Sequence, residues 1–308
     1  MSVGTALAQS YPNRPVRLVV PFPPGSPSDI LGRMVGQHYS QALGQPFIID
    51  NRPGAAGIVG AETVAKAAPD GYTLLMGGTG ALAINPGLRA TMPYDPLRDF
   101  APVSLFARIP FILVVSPSVP ATTVKELVAI AKAKPRQLNY ASSGIGSPTQ
   151  LAAELFKSMT GTDMVHIAYK GTGPATLDLI SGQTHVMFSG ITVLMPHVKT
   201  GRLRGLAVAS ASRTPLLPQL PTVIEAGVPG FTAETWTGVL APRATPAAIV
   251  TRLHQEIVKM VRDAEVKERL LGLGAEPIGN RPEEFRSYMG HEITKWTKVI
   301  KAVGIKEE

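Results

Sequence analysis

Five times in this chain a short apolar run gives way to a turn of Gly, Ser, Thr and Pro that leads straight into a helix-like pattern. The turns begin at Phe22, Gly77, Ala141, Lys170 and Ser189. Strands that alternate with helices need crossover connections, and crossovers lay helices on the faces of parallel sheets, so this rhythm confines the chain to an α/β architecture. It also sets small residues where helices start. Backbone N–H groups are uncovered there and a helix N-terminus carries about half a positive charge, so each turn is a candidate anion seat.

The pattern can be followed along the chain. Val16 to Phe22 reads as a strand, and Asp29 precedes the periodic stretch Ile30 to Leu43 as an N-cap would. A strand at 47–50, a Gly/Pro turn at 51–57, a helix at 58–67 and a strand at 73–76 follow. Residues 82–102 lose periodicity and carry Pro86, Pro93, Pro96 and Pro102, the composition of a connector. The rhythm resumes with strands at 111–115, 138–141, 165–168, 186–188 and 206–209, and helices at 124–132, 149–159, 174–180 and 193–198. A second polar connector spans 210–221, a strand is expected at 236–241, and the end reads helical at 246–261, 264–271 and 282–303. Thr245 reads as the cap of the first of these, with Pro246 in its first turn.

At 308 residues, and about 150 residues per domain, the chain is expected to form two domains. Charged residues make up 17% of it, below the usual share of about 25%. No uncharged apolar run reaches about 18 residues, so no membrane-spanning helix is expected. The net charge of +8 is dispersed, with no basic stripe interleaved with aromatics, and nucleic acid is not an expected partner. Cysteine is absent, which excludes disulfides, thiolate chemistry and Cys-based metal sites. The histidines, His38, His166, His185, His197, His254 and His291, show no ligand spacing, and neither metal nor organic cofactor is expected. Gly54, Gly57 and Gly60 follow a strand, but their spacing is not that of a dinucleotide fingerprint.

Six strings then stand out. They are Arg-Leu-Val-Val-Pro-Phe-Pro-Pro-Gly at 17–25, Asp-Asn-Arg-Pro-Gly-Ala-Ala-Gly at 50–57, Pro-Asp-Gly-Tyr-Thr-Leu-Leu at 69–75, Ala-Tyr-Lys-Gly-Thr-Gly-Pro-Ala at 168–175, Leu-Pro-Thr-Val-Ile-Glu-Ala-Gly at 220–227 and Ala-Pro-Arg-Ala-Thr-Pro-Ala-Ala at 241–248. In this order they resemble the Bug family, the substrate-binding proteins of tripartite tricarboxylate transporters. The resemblance implies a type II periplasmic-binding fold, two α/β domains flanking a ligand cleft and crossed twice by the chain. With the connectors as crossings, 11–100 plus 215–308 form one domain and 101–214 the other. It implies a monomeric receptor, not an enzyme, that takes a small carboxylate (a dicarboxylate, an acidic amino acid or an aromatic acid) and passes it to integral-membrane transporter subunits. It also implies the periplasm, and Ala6, Leu7 and Ala8 then read as the end of a truncated export signal with its A-x-A site.

The turns supply the candidate ligand-binding residues. Each carboxylate oxygen calls for two donors, and N–H groups with Ser and Thr hydroxyls provide them without a desolvated cation. The first turn offers Phe22, Gly25 and Ser26; where Ser26 stands the family usually has a second Gly, and Pro27 removes one donor. Asp29 would repel an anion unless the ligand carries an ammonium, so capping is the preferred reading and ligand contact the alternative. The second turn offers Thr79 and Ala81, the third Ser142, Gly146, Ser147 and Thr149, the fourth Lys170 and Thr172, and the fifth Gly190 and Thr192. Two rival classes remain open: an acyl hydrolase using Ser142 or Ser143, which lacks the full G-x-S-x-G elbow because Ala141 stands two residues before Ser143, and a ligand-presenting partner of a membrane sensor.

Overall fold

The computed structural model describes residues 11–305. The chain opens with β1 (Val16–Val20), α1 (Pro27–Leu43), β2 (Phe47–Asn51), α2 (Ile58–Ala65) and β3 (Thr73–Gly78). A wide helical turn at Gly80–Ile84 runs into the short α3 (Asn85–Leu88), followed by β4 (Phe100–Val115). Then come α4 (Val124–Ala133), β5 (Asn139–Ser142), α5 (Pro148–Thr160), β6 (Val165–Ala168), α6 (Thr172–Ser181), β7 (Val186–Gly190), α7 (Ile191–Lys199) and β8 (Arg204–Val208). The order ends with β9 (Glu234–Pro242), α8 (Ala247–Arg262), α9 (Ala264–Gly272), β10 (Glu276–Pro277) and α10 (Pro282–Val303). The export-signal expectation at residues 6–8 lies outside the described residues.

β1 forms because four of its five residues are Val or Leu, all buried, and only Arg17 is partly exposed. Such continuous apolar runs belong to strands covered on both faces. β1 pairs in parallel with β2 and β3, and β5 in parallel with β6 and β7. The sheets are mixed rather than parallel throughout: β9 runs antiparallel between β3 and β4, and β4 runs antiparallel to β7, β8 and β10. The 16-residue β4 belongs to both sheets. Up to Pro110 it pairs with β9, and from Phe111 it pairs with β7 and β8. The expected boundaries at 100/101 and 214/215 stand ahead of these places, since β9 begins its pairing at Glu234. Two α/β domains result, joined through the middle of β4 and the return into β9.

Several local expectations are corrected. Residues 82–88 of the first expected connector belong to a helical segment, 80–88, with Ala81, Leu82, Ala83, Ile84 and Asn85 buried, and α10 packs on it. The cap of α1 is Ser26 and not Asp29; the helix begins at Pro27. Thr245 does not cap α8, whose boundary residue is Pro246. On one face of the first sheet α1, α8 and α9 contribute Leu31, Val35, Leu253, Ile257 and Leu270 to the core, while Phe285, Met289 and Trp296 of α10 enter the core on the other.

Candidate functional site

A cavity of about 640 Å³ lies at the carboxyl ends of β1, β3 and β5, the end of an α/β sheet where ligands are usually held. One wall is made by Phe22, Ser26, Pro27 and Ser28 after β1, by Ala56, and by Gly78, Thr79, Gly80, Ile84, Asn85 and Leu88 after β3. Thr235 and Trp236 of β9, with Ile305 beyond α10, complete it. The facing wall is one loop of the other domain, Ser143 to Pro148, between β5 and α5. Among the described residues, no charged side chain lines the cavity.

The two walls repeat one device. Gly25-Ser26-Pro27-Ser28-Asp29 opens α1 and Gly146-Ser147-Pro148-Thr149-Gln150 opens α5. In each, proline supplies a first helical position with a preset φ and no wasted donor. The serine before it is then the cap, with φ −66° and ψ 157° at Ser26 and φ −70° and ψ 154° at Ser147. Each cap hydroxyl accepts from the N–H three residues on, at 3.3 Å in both cases. The residue at that third position reaches back to the glycine: Gly25 N donates to Asp29 Oδ2 at 2.9 Å, and Gly146 N donates to Gln150 Oε1 at 2.7 Å. Both glycines have positive φ, 81° and 71°, a conformation that other residues adopt only at a cost.

This stitching changes which donors remain. In the 143–148 loop the Ser143 N–H goes to Thr149 Oγ1, the Gly144 N–H to Ser142 Oγ and the Ser147 N–H to Gly144 O. The glycine-rich composition therefore does not leave its N–H groups bare. At the second helical position of each device, however, the N–H groups of Ser28 and Thr149 find no acceptor among the described residues. One helix from each domain thus turns the positive end of its dipole to the cleft, and Ser28, which lines it, adds an unpaired N–H there, whereas Thr149 lies beneath the facing loop. The Ser28 hydroxyl stands beside the first of these.

Two further features shape the cleft. Gly54, Ala55, Ala56 and Gly57 form a left-handed turn with φ of 137°, 46°, 52° and 94°, held at Ala56 O by Asn85 Nδ2 at 3.2 Å. Trp236 is tied by its own N–H to Thr79 Oγ1 at 2.8 Å and by its indole Nε1 to Glu292 Oε2 at 3.2 Å. It stands edge-on to Phe285 and Tyr288, so the tryptophan meets the cavity as an apolar wall.

Of the residues expected from sequence, Phe22, Ser26, Thr79, Gly146 and Ser147 line the cavity. Gly25 and Asp29 stand behind the α1 cap, Ala81 is buried in the turn after β3, and Ser142 and Thr149 lie beneath the facing loop. Lys170 and Thr172 flank Gly171, whose N–H donates to Ser143 O, but they are not on the cavity wall. Gly190 and Thr192 lie elsewhere, with Thr192 against the Gly274 backbone of the other domain. Sequence reasoning missed Ser28, Asn85 and Trp236 on the wall, while Ser143 belonged to the third turn it singled out. Only Ser28 carried a signal, as the polar second residue after a Ser-Pro helix start.

The site offers no hydrolytic machinery from its serines. Ser142 Oγ is 2.6 Å from His166 Nε2, but Ser142 is fully buried and the other ring nitrogen faces Gln150 rather than a carboxylate. Ser143 reaches the cavity and its hydroxyl meets Thr149 instead of a base. Two α/β domains around a cleft that no charged side chain lines among the described residues, with a helix N-terminus on each side, define a solute-binding receptor of the type II periplasmic-binding class.

Residues 31–305 match the family model described as the tripartite tricarboxylate transporter family receptor, and the chain belongs to that family. It is 36% identical over 300 residues to protein BugT of Bordetella pertussis, covering 97% of this chain and 92% of the relative. It is 38% identical over 304 residues to a protein from the tcbD–tcbE intergenic region of a Pseudomonas strain, covering 97% and 90%. Among solved structures it resembles Rpa4515 of R. palustris with adipate at 41% identity and a TM-score of 0.82, covering 96% of this chain and 99% of the other. MatC of Rhodopseudomonas palustris with bound malate gives 34% identity and a TM-score of 0.77, covering 94% and 100%. The family's description is that of a receptor rather than an enzyme.

Proposed function

We propose that this protein is a periplasmic receptor that captures a small dicarboxylate between its domains and hands it to a tripartite tricarboxylate-type membrane transporter. The observation that carries the reading is the pair of matching Ser-Pro helix starts on opposite walls of a cleft that, among the described residues, no charged side chain lines. Each end can take one carboxylate through N–H and hydroxyl donors, while Phe22, Ile84, Leu88, Ile145 and Trp236 suit an apolar spacer. The adipate and malate held by two relatives support the same class. An amino acid fits less well. Its ammonium would need a carboxylate, and Asp29, behind the α1 cap, is engaged by Gly25, Arg33 and Asn51.

A thermal-shift panel of dicarboxylates, monocarboxylates, aromatic acids and acidic amino acids tests this. A ligand at 100 times its dissociation constant stabilises by about 2.7 kcal/mol. Plain dicarboxylates are expected to raise the melting temperature without being consumed, and to do so more than aspartate or glutamate. A response confined to amino acids would replace the ligand class, and a flat panel would remove the receptor reading. Uptake of the stabilising acid by cells lacking the receptor gene, restored on its return, tests delivery.

A further inference from the structure

A residue outside the cleft ties together one of its walls. Gln150 Oε1 accepts from the Gly146 N–H at 2.7 Å, which fixes the amide, so Nε2 is the atom facing His166 Nδ1 at 3.1 Å. An amide nitrogen donates; Nδ1 therefore holds a lone pair, and the proton of the neutral ring sits on Nε2. That N–H points at Ser142 Oγ, 2.6 Å away. The hydroxyl passes its own hydrogen to Gly144 O at 3.1 Å and accepts from Gly144 N at 3.2 Å. The imidazole thereby joins the two ends of the 143–148 loop, and each of these groups meets a partner of the opposite kind.

We propose that His166 is the positioning residue of this wall, holding the 143–148 loop in its anion-receiving shape while the ring is neutral and releasing it on protonation. The inference rests on the receptor reading given above. A proton on Nδ1 faces the Gln150 amide nitrogen, donor against donor. Turning the amide over moves the same conflict to the Gly146 N–H, so one donor loses its acceptor either way.

The groups packed around the ring do not remove the conflict. Tyr140 of β5 stacks on it at 4.8 Å with the planes 17° apart. On α5, Glu154 accepts from Tyr140 and from Lys157. Burial favours the neutral ring most, Glu154 opposes this and Lys157 reinforces it, which leaves the His166 pKa below its ordinary 6.5. With the folded pKa depressed, the ordered loop is fully favoured above about pH 6.5 and loses that advantage as pH falls below it.

Amide hydrogen exchange of the ligand-free protein, expressed as protection factors from about pH 8 to about pH 5, tests the proposal. Protection at Gly146 is expected to fall about tenfold across this range, in step with titration of the His166 ring. In Gln150→Glu the carboxylate accepts both from the Gly146 N–H and from the charged ring, and protection is expected to hold. Adipate, used as the probe and corrected for its own ionisation, is expected to bind the unsubstituted protein more weakly over the same interval. Constant protection at Gly146, an equal loss in Gln150→Glu, or adipate binding that strengthens as the ring gains charge overturns the proposal. Exchange is read without ligand, so failure of every acid to bind would strike the receptor reading and leave the exchange result standing.

Discussion

Asp29 sits at the third position of α1 with its carboxylate held by Gly25 N, Arg33 Nε and Asn51 Nδ2, each at 2.9 Å. Burial alone would raise its pKa, but these donors outweigh burial and hold it below 3.8. A depressed carboxylate stabilises the fold above its unfolded pKa, and that contribution is lost as pH falls. Asp29→Asn is expected to cost about 1–3 kcal/mol in urea unfolding at neutral pH, with the difference from the parent shrinking below about pH 4. Ala56 is the opposite case, since its left-handed φ of 52° costs about 1–2 kcal/mol that glycine would not incur. Set against the entropy glycine loses, Ala56→Gly is expected to stabilise by up to about 1 kcal/mol in the same measurement. The two residues differed in legibility. Ser26, Ser28 and Asp29 are all capping types, but Pro27 can only be the first helical residue and so singles out Ser26, a constraint the sequence did carry. Nothing in Gly-Ala-Ala-Gly announced that both alanines would be left-handed, because alanine shows no preference for that region.

The two helix starts act as independent elements because they belong to different domains. Ser26→Ala and Ser147→Ala are each expected to cost about 1 kcal/mol through loss of the cap. The double variant should be additive within about 0.5 kcal/mol in urea unfolding. A much larger shortfall would mean that the walls support one another even without ligand. Helices with a clear cap and a periodic face were legible, as α4 shows with its Thr123–Glu126 capping box. The segment from Leu82 to Pro110 was not, although the second half of β4, 111–115, was expected as a strand. Pro86 lies in the first turn of α3, where proline is tolerated, and Gly87 lets α10 come so close that a Cβ there would meet Ile300 and Thr297 at 3.0 Å. In β4, Pro102 borders a shift of register and Pro110 is the last residue paired with β9. Prolines that read as ends of structure instead mark irregularities inside one long strand.

For the whole molecule, length and rhythm were enough to expect two α/β domains. In the structure the chain passes between the two sheets inside β4 and at the start of β9, within paired strands where no change of composition marks the place. Closure of one domain on the other about these strands would bring the matching helix starts together. Small-angle scattering is expected to show a smaller radius of gyration with a saturating dicarboxylate, accompanied by a change in Trp236 fluorescence; an unchanged radius would argue for a preformed cleft. The placement of β9 also governs the order in which the molecule can be completed. While the chain is being made, β3 and the first half of β4 exist long before the strand that lies between them, so the N-terminal domain has no finished sheet until the last third has been synthesised. For the periplasmic receptor proposed above, a domain its ribosome cannot finish early would keep the chain open until it is exported.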